Sequence, residues 1–127
     1  MKFFERLKNI FISRKSFFKN KISLTLSISA LIINILSWLY IFINIRPQDE
    51  PIFLHYNIYY GVDLIGDWYQ IYFYLPLIAI IIFFINIFIS YILYKRDEKL
   101  TYLIQGLNIF LQLSVLISTY LIVQQNL

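Results

Sequence analysis

The sequence predicts an all-α membrane protein. It has three transmembrane helices in a left-handed bundle, an amphipathic interfacial helix at the N-terminus and one ordered external loop. Three observations carry this prediction. Hydrophobic residues make up 60% of the chain and charged residues 14%, where a soluble domain carries about 25% charged residues, so a soluble fold would lack polar surface to cover it. The apolar residues fall into three blocks, each long enough at about 1.5 Å per residue to cross about 30 Å of hydrocarbon. The charge is uneven, with seven basic residues and one acidic residue before Ile22 and no charged side chain after Lys99.

Residues 1–21 come first. Phe3, Leu7, Ile10, Phe11, Phe17 and Phe18 recur at roughly helical spacing among Lys2, Arg6, Lys8, Arg14, Lys15, Lys19 and Lys21. An apolar stripe flanked by cations reads as a helix lying on the membrane surface, with the cations on anionic headgroups. No small-x-small cleavage site follows the apolar run, so a secretory signal is not the reading. The first span is 22–45, uncharged, with Trp38 and Tyr40 near one end where aromatic rings favour the interface, and Arg46 and Pro47 end it.

The loop 46–69 holds two of the three prolines, the one histidine and four of the seven acidic residues. Asp67, after Gly66, is placed to cap the next helix. The second span, 70–94, has its apolar core at Leu75–Tyr94. Pro76 removes a backbone donor, which predicts a kink and an interfacial lead-in at Trp68–Tyr74. Lys95–Lys99 is a short hairpin in which Asp97 caps the third span, 100–124. By the positive-inside rule the N-terminus and 95–99 are cytoplasmic, and the loop and C-terminus are external.

Each span carries one row of small or polar residues. These are Ser23, Ser27, Ala30, Asn34 and Ser37; Ala79, Phe83, Asn86 and Ser90; and Gln105, Asn108, Gln112, Val115 and Thr119. The mean spacing of about 3.5 is the left-handed packing period, with crossing angles of about +20°. Depth along the helices predicts that Asn34, Asn86, Asn108 and Gln112 face a common interior. Lipid gives helices no hydrophobic reason to associate, so such amides hold a bundle together, at about 0.6 kcal/mol per bond. A hydrophilic path is the other use of buried amides, but no span contains the ionisable residues that usually mark one.

Catalytic sets are absent from the pattern. The loop has His55 and Asp63 but no serine, the chain has no cysteine, and the spans offer no nucleophile paired with a base. No enzyme and no cofactor is expected. His55, Asp63 and Asp67, with Asp49 or Glu50, have no recognised metal-ligand spacing, so no metal is expected either. Gly61 and Gly66 read as turn positions. Tyr56, Tyr59, Tyr60, Trp68 and Tyr69 read as interface anchors.

The series Pro51, His55-Tyr56-Asn57, Gly61, Asp63 and Gly66 resembles the extracytoplasmic segment of SdpI-like bacterial membrane proteins, which also lies between the first two spans. Leu75-Pro76 is similar to the start of the second span in that family. Gly61 comes one residue late, Pro51 sits further from His55, and no basic residue succeeds Gly66. The resemblance covers about a fifth of the chain. It implies a bacterial inner-membrane protein of an uncharacterised or immunity-like family, whose best-known member protects the cell from a secreted peptide toxin.

The pattern supports two functional readings. In the first, the chain is a binding or interaction module that presents loop 46–69, with His55, Asn57, Gly61, Asp63 and Gly66, to a membrane-protein or peptide partner. In the second, it is a subunit of a small oligomeric transporter or channel built on the buried amides. The basic charge is assigned to lipid and orientation rather than to nucleic acid.

Overall fold

The computed structural model describes the backbone of residues 1–127 and every side chain except those of residues 10–16. Ile10, Phe11, Arg14 and Lys15 of the expected amphipathic face therefore lie outside the described residues. Three helices, Lys21–Asn44, Gln70–Leu93 and Glu98–Gln125, are long and apolar enough to cross a membrane. The third packs against both others.

An N-terminal helix, Lys2–Lys19, precedes them. It stops because Asn20 leaves helical geometry, at φ −73° and ψ 117°, to cap the first long helix. The Asn20 side-chain oxygen accepts from the Ile22 and Ser23 amides at 2.9 and 3.1 Å, using donors a helix start leaves open. Its Nδ2 donates to the Tyr94 and Tyr102 hydroxyls at 2.8 and 2.7 Å. One side chain thus caps one helix and ties it to the other two. Phe17 is buried edge-on against the Tyr91 and Tyr94 rings, while Phe3, Phe4 and Phe18 are exposed.

The segment between the first two long helices corrects the all-α expectation. It contains an antiparallel hairpin of β1, Ile52–Asn57, and β2, Gly61–Gly66. Ile52 and Leu54 point inward and Phe53 outward, the period-2 alternation of a half-buried strand. They close a cluster with Ile41 of the first long helix and Ile45 just after it, Ile71 of the second, and Ile122 and Val123 of the third. At the hairpin tip the Asn57 side chain accepts from the Tyr59 amide at 2.8 Å. Gly61 takes φ +75°, a left-handed conformation that costs glycine little.

The hairpin is also held from the far end of the chain. The Asn126 side chain accepts from the Phe53 amide at 2.7 Å and donates to the Phe53 carbonyl at 2.9 Å. It pairs with the edge of β1 as a neighbouring strand would. Burying Ile52 and Leu54 is worth about 1.5–3 kcal/mol each, against about 1 kcal/mol net for each Asn126 bond. Packing therefore sets the position of the hairpin, and Asn126 closes its exposed edge.

The second long helix starts without the cap expected of Asp67. Its carboxylate accepts from the Tyr69 hydroxyl at 2.9 Å, and the helix start carries no side-chain cap. Gln70 reaches back instead, its Oε1 accepting from the Asp67 amide at 3.0 Å. Further on, Phe73–Leu77 forms a π turn around Pro76. Proline has no N–H for the preceding turn, and the chain widens there. Asp97 caps the third long helix, accepting from the Leu100 amide at 3.0 Å.

Candidate functional site

The inner faces of the first and third long helices carry most of the buried polar side chains. Ser23, Ala30, Asn34 and Ser37 are buried on the first, Ala79, Phe83 and Ser90 on the second, and Thr101, Gln105, Asn108, Gln112 and Thr119 on the third. Asn34 Nδ2 donates to Gln112 Oε1 at 3.0 Å and to the Pro76 carbonyl at 3.2 Å. Asn34 Oδ1 accepts from Trp38 Nε1 at 2.9 Å. Gln112 Nε2 donates to the Ala79 carbonyl at 2.9 Å and to Asn108 Oδ1 at 3.4 Å. Asn34 and Gln112 thus each have both ends of the amide engaged. Asn86 stands apart: it is half-buried, and its side chain makes no hydrogen bond among the described residues. The second long helix meets Asn34 and Gln112 through main-chain carbonyls beside the π turn instead.

A second polar group lies on the hairpin. His55 Nδ1 and Asp63 Oδ1 are 2.6 Å apart, with the His55 side chain 60% exposed. The strand register slips on both sides of His55, pairing it with Leu64 rather than with Asp63. Such bulges re-aim side chains. An ionised carboxylate only accepts hydrogen bonds, so Nδ1 carries the proton and donates it. In the neutral imidazole this leaves Nε2 as a lone-pair acceptor. Asp63 therefore fixes both the ring and its tautomer.

The other motif residues of the loop shape the hairpin. Asn57 and Gly61 build the turn. Gly66 is a floor: a Cβ there would lie 1.9 Å from Gln70 Oε1 and 2.7 Å from Leu54 Cδ1. Asp67 acts on Tyr69, its hydrogen bond and charge holding the phenol above the usual tyrosine range. Among the described residues no three His, Asp or Glu side chains gather closely enough to hold a metal ion.

His55 borders two open clefts. One, about 360 Å³, lies toward the second long helix, between Asp63, Leu64, Tyr74 and Leu75. The other, about 330 Å³, lies toward the third, with Leu54, Leu75, Leu121 and Ile122 as apolar walls and Tyr56 and Ser118 as further polar lining beside His55. Nothing in the pattern of the sequence singled out Ser118, whose place at the cleft depends on how the hairpin docks. Its hydroxyl makes no hydrogen bond among the described residues. By contrast Ser27, Ser29, Ser37 and Ser114 each donate to the carbonyl four residues back. Ser, His and Asp thus share a neighbourhood, but no bond joins Ser118 to His55, and a nucleophile needs that bond to its base. The arrangement suits recognition: a fixed imidazole acceptor and a free hydroxyl over apolar walls.

No family model matches the chain, and neither the curated proteins nor the solved structures contain a match.

Proposed function

We propose that the chain is a multi-pass bacterial inner-membrane protein that works as an interaction or immunity-like module. It presents the hairpin outside the cell membrane to a membrane-protein or peptide partner. The N-terminus and the turn at 95–97 lie in the cytoplasm and the C-terminus lies outside, as the basic residues at one end of the bundle favour. The N-terminal helix rests on anionic headgroups. The three helices pack left-handed, in keeping with their polar rows. The SdpI-like relationship belongs to the same proposal.

One observation carries the reading. The hairpin is clamped at one face by the aliphatic cluster beneath Ile52 and Leu54 and at its edge by Asn126, yet it leaves the His55–Asp63 pair exposed. A pre-ordered surface loses little entropy on binding. The transporter or channel alternative draws less support, because Asn34 and Gln112 saturate each other and nearby carbonyls rather than lining a path. The test replaces His55, Asn57 and Asp63 with Ala and compares the partners that copurify from membranes. Loss of a partner is expected, and an unchanged set removes the proposal.

A further inference from the structure

The cleft between β1 and the third long helix combines apolar walls with polar groups at one end of the bundle. Its walls, Leu54, Leu75, Leu121 and Ile122, are apolar, and Leu121 is exposed on the flank of a helix apolar enough to cross a membrane. Ser118 lies seven residues before the end of that helix at Gln125, about 10 Å below it at about 1.5 Å per residue. With the helices across a bilayer, that is the boundary between headgroups and acyl chains. His55, Tyr56 and Ser118 bring polar groups to the cleft there. In its neutral form His55 holds its proton on Nδ1 for Asp63 and offers Nε2 as an acceptor, and the Ser118 hydroxyl has no hydrogen-bond partner among the described residues.

We propose that this cleft binds one phospholipid of the outer leaflet whose headgroup carries a hydrogen-bond donor. An acyl chain lies along Leu75 and Leu121, the headgroup donor meets His55 Nε2, and Ser118 takes a neighbouring headgroup oxygen. The fit is one of sign as well as shape. An acceptor fixed by Asp63 selects a headgroup with N–H or O–H groups over one without, because a choline headgroup has no donor to give Nε2. The inference rests on the proposed placement across a bilayer, and it assigns the hairpin a lipid ligand in addition to its partner.

The chain has a single histidine, so protein labelled with ¹⁵N in the imidazole reports on Nδ1 and Nε2 alone. The full chain is reconstituted in phosphatidylcholine nanodiscs, with and without phosphatidylethanolamine or phosphatidylglycerol. Incorporation is verified first by co-migration with lipid, so that a failure to insert is told apart from a failure to bind. The expected result is an Nε2 shift toward the hydrogen-bonded range with either donor lipid and none in phosphatidylcholine alone. Leu121→Trp, which fills the cleft, abolishes the shift, and Ser118→Ala weakens it. In both variants the Nδ1 signal stays in its bonded position and shows that the hairpin is intact. An Nε2 signal identical in all three lipids overturns the proposal. So does a response to phosphatidylglycerol alone, which would assign the effect to headgroup charge, or a shift that survives Leu121→Trp.

Discussion

Replacing Asn126 with Ala tests how the hairpin is held. The substitution removes the two bonds to the Phe53 backbone, at 2.7 and 2.9 Å, and a third to the Ile122 carbonyl at 2.9 Å. The last lies within the end of the third long helix and does not bear on docking. At about 1 kcal/mol net per bond, the two that do bear on it sum to about 2 kcal/mol. Ile52 and Leu54 stay buried, so the hairpin remains docked but opens more often. A factor of ten corresponds to about 1.4 kcal/mol, which makes the local opening about 30-fold more frequent. Hydrogen–deuterium exchange on the peptide covering 52–66 reads this directly, because exchange follows the population of the open form. The expected pattern is faster exchange at the hairpin with the long helices unchanged. An acceleration below about fivefold, the value for two bonds at about 0.5 kcal/mol each, would refute the clamp.

The packing sets two further outcomes. Gln112→Leu removes three side-chain bonds and should cost the bundle about 2 kcal/mol at about 0.6 kcal/mol each. Asn86→Leu should cost well under about 1 kcal/mol, since no side-chain bond is lost. Unfolding by steric trapping in bicelles measures both, and equal effects would contradict the assigned network. Gly66→Ala drives a Cβ into Gln70 and Leu54 and should destabilise the hairpin by about 1–3 kcal/mol. Gly106→Ala meets nothing within 4 Å and should be neutral or stabilising, by up to about 1 kcal/mol. Exchange at 52–66 and thermal melting in detergent separate the two.

The parts of this structure that are legible in the sequence are those set by the solvent. A helix fit for lipid needs an uncharged run of about 20 residues, and three such runs stand out. Which face turns inward is also legible, because Asn34, Gln105, Asn108 and Gln112 fall on 3-and-4 spacing, and all four are buried. Asn86 obeys the same spacing yet has no side-chain partner among the described residues. The second helix offers Asn34 and Gln112 its Pro76 and Ala79 carbonyls, and a side-chain pattern cannot reveal main-chain acceptors. The hairpin is hidden because only Ile52 and Leu54 alternate inward, too short a run to register as period 2. The two register slips around His55 blur the pattern further. Ser118 and Asn126 join the site only through docking of the hairpin, and no local pattern encodes contacts across more than 60 positions.

In the proposed topology the hairpin and the turn at 95–97 lie on opposite sides of one membrane. The chain has no cysteine, so single cysteines can be placed as Tyr59→Cys at the exposed hairpin tip and as Arg96→Cys in the exposed turn. A membrane-impermeant thiol reagent added to intact cells should label Tyr59→Cys at once, and Arg96→Cys only after the cells are broken. Labelling of both sites in intact cells, or of Arg96→Cys alone, would contradict the account.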